Sequence, residues 1–114
     1  MAALDLASMD VVVVPFPFTD RVASKRRPAL VVSSVAFNRA SRHSVLAMIT
    51  SAERTSWPGD VAVSDLAAAG LPVPCLVRLK LFTLDHRLVL KKAGRLAAED
   101  RAALVERWRP LVFN

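Results

Sequence analysis

Short apolar runs rich in β-branched residues, separated by turn-forming residues, constrain the fold of this chain more than any other feature. Asp10 to Phe16 (D-V-V-V-V-P-F) ends in alternating prolines, which is typical of a buried strand that leads into a loop. Pro28 to Ser34 and Ser44 to Ser51 are predicted as the second and third strands. Between the strands we expect a polar, basic loop from Pro17 to Arg27 and a short helical turn from Val35 to His43.

The second half of the chain predicts further strands around one short helix. Asp60 to Ser64, Cys75 to Leu81 and Arg87 to Leu96 have the patterns of strands, the second with alternating apolar and basic residues. Gly94 is expected at a kink or bulge. Asp65 to Gly70 fits one helical turn, with the aspartate as its N-terminal cap and the glycine at its end.

The C-terminal segment has helical periodicity. Glu99 and Asp100 fit its first turn, where the helix dipole favours anions, and Pro110 is expected to end or kink it. The apolar residues that recur at helical spacing are Leu104, Val105, Trp108, Leu111 and Val112. Together these elements predict a mainly β fold, a compact barrel with a C-terminal helix packed on it.

Length and hydrophobicity predict one domain. The chain has 114 residues, of which 54% are apolar, so residues 9 to 114 are expected to fold as a single domain after a flexible tail of residues 1 to 8. The longest apolar stretches, Val11 to Phe18 and Leu66 to Val77, are short and broken by prolines, so neither is expected to span a bilayer. The first ten residues carry two acids and no base, unlike a secretory signal, so we predict a cytoplasmic protein without a membrane partner.

The chemistry available to the chain is limited. Cys75 is the only cysteine, and His43 and His86 do not lie at metal-ligand spacing, so no metal site or cofactor is predicted. Three glycines leave no phosphate-binding loop, and no G-x-S-x-G motif occurs. The net charge of +6 and the pI near 10.7 favour a polyanionic partner, either nucleic acid or an acidic protein.

RNA cleavage is compatible with these limits because the substrate carries its own nucleophile, the 2′-hydroxyl. The enzyme must align that oxygen with the phosphate, move a proton and stabilise charge on phosphorus. Arginine suits the last task because its fork binds phosphate oxygens and stays charged. Positioning and electrostatics can supply much of such a rate enhancement.

Two segments resemble the MazF/PemK-type toxins of type II toxin–antitoxin systems. The first is Asp10 to Ser34, with a strand that starts near an aspartate, a polar loop and R-P-A-L-V, and the second is Met48 to Ser51 (M-I-T-S). Four shorter motifs follow in the order of that family: Trp57-Pro58-Gly59-Asp60, Ala69-Gly70-Leu71-Pro72, Thr83-Leu84-Asp85 and Gly94-Arg95-Leu96. The resemblance extends from Met9 to Leu111, and the ordered combination is more specific than any one motif.

The resemblance implies an SH3-like barrel of the kind shared with CcdB toxins, usually a homodimer. It also implies a sequence-selective, metal-independent endoribonuclease that cuts single-stranded RNA (mRNA), leaves a cyclic phosphate and is inhibited by a cognate antitoxin. The family's catalytic arginine corresponds to Arg27 and its strand-end threonine to Thr50. The implied roles are charge stabilisation and proton transfer for Arg27, and binding of the scissile phosphate for Thr50.

Six further residues are candidates for contacts with the substrate: Lys25, Arg26, Ser51, Phe18, Arg78 and Lys80. Each has an alternative in ordinary structure. The basic residues can belong to a solvated loop or a plain solvent-facing side, Phe18 and its neighbour Phe16 can pack in the core, and Ser51 can simply end a strand. Trp57 can stack a base or anchor its loop.

Three departures from the family keep other functions open. Met9 stands where the family usually has glycine, and Lys25 lies where an acid is common, in a shorter first loop. The alternatives are a non-catalytic topoisomerase poison of the CcdB type and a degenerate toxin that only binds RNA or an antitoxin. The nuclease hypothesis requires that Arg27 face an open cleft together with Thr50.

Overall fold

The secondary structure is mainly β, as predicted. A computed structural model describes residues 5–16, 25–52 and 56–113. The elements in chain order are β1 (Asp10–Phe16), β2 (Lys25–Val31), α1 (Val35–Ser41), β3 (His43–Ser51), β4 (Val61–Ala62), α2 (Leu66–Ala69), β5 (Cys75–Asp85), a 3-10 turn (His86–Leu88), β6 (Lys91–Arg95) and α3 (Ala98–Val112). The C-terminal helix is α3, so the prediction of a mainly β fold with a C-terminal helix is confirmed.

The strands form one antiparallel sheet that curls into a half-barrel, in the order β4-β5-β3-β2-β1-β6. Alternate residues of each strand point to opposite faces, and each face has its own apolar core. Helices α2 and α3 pack on one face, where Val11, Leu30 and Val77 meet Leu104 and Trp108. The other core, which contains Val14, Ala29 and Leu46 among others, lies beside the candidate site described below.

The second strand begins earlier than predicted. Lys25, Arg26 and Arg27 pair with Phe16, Pro15 and Val14 of β1. The prediction that these three basic residues belong to a loop is therefore wrong. The hydrogen bonds between β1 and β2 use only backbone groups, so basic side chains that reach solvent are compatible with a strand. The rest of that predicted loop, residues 17–24, lies outside the described residues.

Residues 5–8 do not form a loose tail. Leu6 is 1% exposed and belongs to the second core. Asp5 makes a two-bond ion pair with Arg39 of α1, and the backbone N–H of Ala7 donates to the Asp10 carboxylate at 2.8 Å. The prediction of a flexible tail is therefore wrong for residues 5–8, because the buried Leu6 side chain and the hydrogen bonds of the Asp5 and Asp10 carboxylates hold them against the domain. Residues 1–4 lie outside the described ranges.

Close backbone approach fixes α2 against β6. Asp65 caps the helix through its side chain, and Gly70 ends it with a φ of 71°, as predicted. A Cβ at Gly70 would lie 2.2 Å from the carbonyl oxygen of Ala93. Both the positive φ and this close approach therefore require glycine here. The predicted irregularity at Gly94 is also present, since the β1–β6 register shifts next to its pair with Val11.

The C-terminal helix is anchored by two polar contacts. The carboxylate of Asp100 accepts hydrogen bonds from Ser64 and from the backbone N–H of Asp65, and the Trp108 indole donates to the Gly59 carbonyl at 2.7 Å. The helix continues past Pro110 to Val112, beyond the predicted end or kink. Among the described residues, no helix has the length and apolar character needed to cross a membrane.

Candidate active site

A cleft of about 340 Å³ lies across strands β1, β2, β3 and β5. Both of the residues predicted to be catalytic, Arg27 and Thr50, line it. The remaining lining residues are Val14, Phe16, Pro28, Ala29, Met48, Ile49, Arg78 and Phe82. The cleft therefore combines two guanidinium groups and one hydroxyl with walls that are otherwise apolar.

Sheet register explains why residues distant in sequence meet here. Arg27 pairs with Val14, Ala29 with Met48, and Met48 with Arg78. Directly paired residues point to the same face, as do residues two apart on a strand, so these side chains share one face of the sheet. The β2–β3 register, continued two residues past Ala29 and Met48, places Arg27 opposite Thr50.

Arg27 is half-buried, and its guanidinium carbon lies 5.7 Å from the centroid of the Phe16 ring. Within residues 5–16, 25–52 and 56–113, no carboxylate forms an ion pair with it. The ring holds the arginine through a cation–π contact, which leaves its hydrogen-bond donors able to bind an anion. Apolar walls strengthen such binding because they lower the local dielectric constant.

Arg78 is in a different state, because a carboxylate holds its fork. Its Nε donates to Asp60 Oδ1 at 3.1 Å and its Nη2 to Oδ2 at 3.0 Å, and both side chains are only 12% exposed. These hydrogen bonds lower the pKa of Asp60 and raise the pKa of Arg78. The second arginine of the cleft is thus fixed in position, and its charge is balanced locally.

Lys80 lies outside the cleft, beside Trp57. Its Nζ is 4.7 Å from the centroid of the indole, and the guanidinium carbon of Arg78 is 6.0 Å from the same ring. The register between β3 and β5 shifts by two residues between the pairs Ala47–Leu81 and Met48–Arg78. Lys80 belongs to this bulge, which separates it from the cleft although it lies two residues from Arg78.

The other predicted contact residues do not line the cleft. Lys25 and Arg26 are exposed at the start of β2, and Arg26 faces away from Arg27 by strand alternation. Ser51 ends β3 opposite Cys75 and is absent from the lining. Phe18 lies outside the described residues.

Sequence reasoning missed the partner of Arg78. Asp60 was predicted only as the first residue of a strand and the last residue of a family motif, and the two residues are 18 positions apart. Met48 and Phe82 were also not selected as lining residues, although Met48 shares its face with Thr50 through the two-residue period of β3. The two-residue period of β3 was the one feature of the sequence that could have identified Met48 as a lining residue. No feature of the sequence identified Phe82.

No group of three or more histidine, cysteine or acidic side chains is placed to hold a metal ion within the described part of the chain. Among the described lining residues of the cleft, the polar side-chain groups are two guanidinium groups and a hydroxyl. Such a site suits an anion with several oxygen atoms, such as a phosphodiester.

Residues 7–111 match the family described as the PemK-like, MazF-like toxins of type II toxin–antitoxin systems. The chain belongs to this family. No curated protein sequence matches it. The R-P-A-L-V motif that carried the resemblance forms β2 of this MazF/PemK-family protein, and the M-I-T-S motif ends β3, so the two motifs meet at the cleft.

Solved structures share the fold at low sequence identity. A MazE–MazF structure from Deinococcus radiodurans has a TM-score of 0.74 at 21% identity, with 96% of this chain and 97% of that chain covered. MazF alone from the same organism has a TM-score of 0.70 at 23% identity, with the same coverage. An endoribonuclease in complex with its cognate antitoxin, from a mycobacterial species, has a TM-score of 0.70 at 15% identity over 93% of this chain and 91% of that one.

Proposed function

We propose that this MazF/PemK-family toxin is a metal-independent endoribonuclease that cuts single-stranded RNA, with mRNA as its natural substrate. One observation carries the proposal. Arg27, which forms no ion pair with a carboxylate of the described residues, shares an open cleft with Thr50. Family membership supports the same activity, since a structural relative is named an endoribonuclease.

The residues of the cleft support a transfer in which the 2′-oxygen attacks the adjacent phosphorus. The bond from phosphorus to the 5′-oxygen breaks, so the upstream product ends in a 2′,3′-cyclic phosphate. The downstream product begins with a 5′-hydroxyl, and a proton equivalent to the one that leaves the 2′-hydroxyl is returned to this oxygen. Negative charge develops on the non-bridging oxygens, where the Arg27 guanidinium can bind two of them. The Thr50 hydroxyl donates to the same phosphate and keeps the attacking and leaving oxygens aligned.

The partner proposed for inhibition is a cognate antitoxin that places acidic and apolar residues in the cleft. Structural relatives are solved as MazE–MazF and as an endoribonuclease with its cognate antitoxin, which supports such a partner. A carboxylate that pairs with Arg27 would displace phosphate directly, because both anions need the same fork. The active unit is proposed to be a homodimer in the cytoplasm, where mRNA is translated.

The test is cleavage of a long single-stranded RNA by purified protein in EDTA, with the product ends mapped. Arg27→Ala should lower the rate by at least about a hundredfold, since it removes the main stabilisation of the transition state. Thr50→Val, which keeps the shape and removes the hydroxyl, should lower it roughly tenfold to a hundredfold. Arg101→Ala, an exposed arginine of α3, is the matched control and should cleave normally.

Three outcomes would contradict the proposal: a requirement for magnesium, cleavage that survives Arg27→Ala, or ends without a cyclic phosphate. Thermal unfolding of each variant separates loss of activity from loss of the fold. Growth arrest without RNA cleavage, unaffected by Arg27→Ala, would instead support a toxin that acts as a topoisomerase poison.

A further inference from the structure

The indole of Trp57 is exposed although its hydrogen bonds are complete. Its side chain is 41% exposed. Its Nε1 donates to the Leu79 carbonyl at 3.2 Å, and its backbone N–H donates to the Asp60 carboxylate at 2.9 Å. Since both N–H groups are bonded within the protein, what the residue presents to solvent is aromatic surface held in a fixed position.

Two cations lie over this ring, and one of them, Arg78, connects it to the cleft. The Lys80 ammonium is 4.7 Å from the ring centroid and the Arg78 guanidinium carbon is 6.0 Å from it. Arg78 also lines the cleft that contains Arg27 and Thr50. A continuous polar path therefore leads from the two predicted catalytic residues, over Arg78, to an exposed aromatic ring with a lysine beside it. Sites for single-stranded nucleic acids combine these two elements, a ring that stacks a base and a cation that binds the backbone.

We propose that Trp57 and Lys80 form a nucleotide-binding subsite next to the cleft, in which an RNA base stacks on the indole and its phosphate binds Lys80. The inference rests on the proposed function, because it takes RNA as the ligand of the cleft. Every base has a π face, so the subsite raises affinity without selecting a sequence. The contact between Lys80 and the ring is at the surface and weak, so the ammonium can exchange it for a phosphate.

Tryptophan fluorescence tests the stacking directly. The chain has two tryptophans, and Trp108 is 6% exposed in the core. An all-2′-deoxy oligonucleotide, which lacks the attacking hydroxyl and cannot be cut by 2′-attack, should quench the emission of the wild-type protein on binding. In Trp57→Phe the remaining emission comes from Trp108 and should not change. A structural role for Trp57 would not produce this difference.

Affinity for the same oligonucleotide provides the second test. Trp57→Ala should weaken binding roughly tenfold, the scale of one base stacked on an aromatic ring, whereas Phe37→Ala, a similarly exposed ring on α1, should not change it. Lys80→Ala should reduce the slope of log affinity against log salt by about 0.7, the value for one phosphate contact on a single strand. Lys91→Ala, an exposed lysine of β6, should leave the slope unchanged.

The results distinguish this inference from the nuclease proposal. Quenching of Trp57 together with the two affinity effects supports the subsite even if RNA is never cut. RNA cleavage without quenching, with Trp57→Ala equal to Phe37→Ala, overturns the subsite and leaves the nuclease proposal in place. Loss of self-association or of antitoxin binding in Trp57→Ala, with oligonucleotide binding intact, would make the ring a protein contact and also overturn the subsite. Thermal unfolding confirms that each variant is folded.

Discussion

Replacing Asp60 with asparagine should destabilise the protein because it breaks the ion pair that fixes Arg78. The two charge-assisted hydrogen bonds are 3.0 and 3.1 Å long, between side chains that are 12% exposed. The side-chain oxygen of asparagine can accept one of these bonds from Arg78. Its NH₂ group would face the other N–H donor of Arg78 and cannot accept a hydrogen bond from it. One bond is then lost and the other becomes an ordinary one. Charge-assisted bonds contribute about 1.5–3 kcal/mol each and ordinary ones about 1 kcal/mol, so the loss of one bond and the weakening of the other should together cost about 2–5 kcal/mol.

The assay is thermal and urea unfolding at neutral pH, with a matched control at the surface. The Tm of a domain of this size falls by roughly 4 °C for each kcal/mol of lost stability, so Asp60→Asn should lower the Tm by roughly 8–20 °C. Asp5 makes a two-bond pair of the same geometry with Arg39, but those side chains are 59% and 66% exposed. Asp5→Asn should therefore lower the Tm far less than Asp60→Asn, because water screens exposed pairs.

The pH dependence gives an independent check of the same interaction. The hydrogen bond from Arg78 lowers the pKa of Asp60 below its usual value of 3.8. A carboxylate with a lowered pKa in the folded state stabilises the fold fully above its unfolded pKa, and this contribution is lost as the pH falls through the folded value. The difference in unfolding free energy between wild type and Asp60→Asn should thus shrink below about pH 4. A cost equal to that of Asp5→Asn, or a difference that stays constant in acid, would refute the reasoning.

Three other positions give predictions that unfolding experiments can check. Gly70→Ala should cost more than about 2 kcal/mol, since its φ is 71° and the new Cβ would lie 2.2 Å from the Ala93 carbonyl oxygen; an unchanged urea midpoint would contradict this. Met9 has a φ of 76°, so Met9→Gly should be more stable than Met9→Ala by about 1 kcal/mol, the reverse of the usual order, and equal midpoints would show no strain. Burial lowers the pKa of His86, whose Nε2 lies 2.7 Å from the Ser44 hydroxyl, so the unfolded chain binds the proton more readily. Stability should then fall as the pH drops below about 6.5, and His86→Gln should flatten that slope in a pH series of thermal unfolding curves.

Local patterns in the sequence predicted the elements that depend on local physics. The β-branched run from Asp10 to Phe16 is β1 with the same bounds, because such side chains favour extended backbone and both faces of the sheet are covered. Asp65 and Gly70 were assigned as cap and end of α2 because each satisfies backbone groups at its own helix terminus. For the site, the family motifs selected Arg27 and Thr50, and the structure places both of them at one cleft.

Features set by pairing between distant strands could not be predicted in this way. The predicted loop ran to Arg27 because three consecutive basic residues look solvated, whereas β1 supplies a backbone partner for each of them. Lys80 and Arg78 were predicted to lie on one face of a strand from their spacing, but with the register shift in β5 only Arg78 lines the cleft. Leu111 fits the helical pattern and is still 52% exposed, because burial depends on whether another element covers that turn.

The two arginines of the cleft differ in the property that matters for binding anions. Asp60 balances the charge of Arg78, so among the described lining residues the positive field comes mainly from Arg27, while Arg78 contributes a fixed shape and position. Two unbalanced guanidinium groups would attract phosphate more strongly, but they would bind the RNA backbone equally in the ground state and the transition state, which does not raise the rate of the chemical step. They would also repel each other in a partly apolar cleft and cost stability. One arginine is thus paired with a carboxylate, while the other has no such partner among the described residues. This concentrates the positive charge at Arg27, where the proposed reaction would require it.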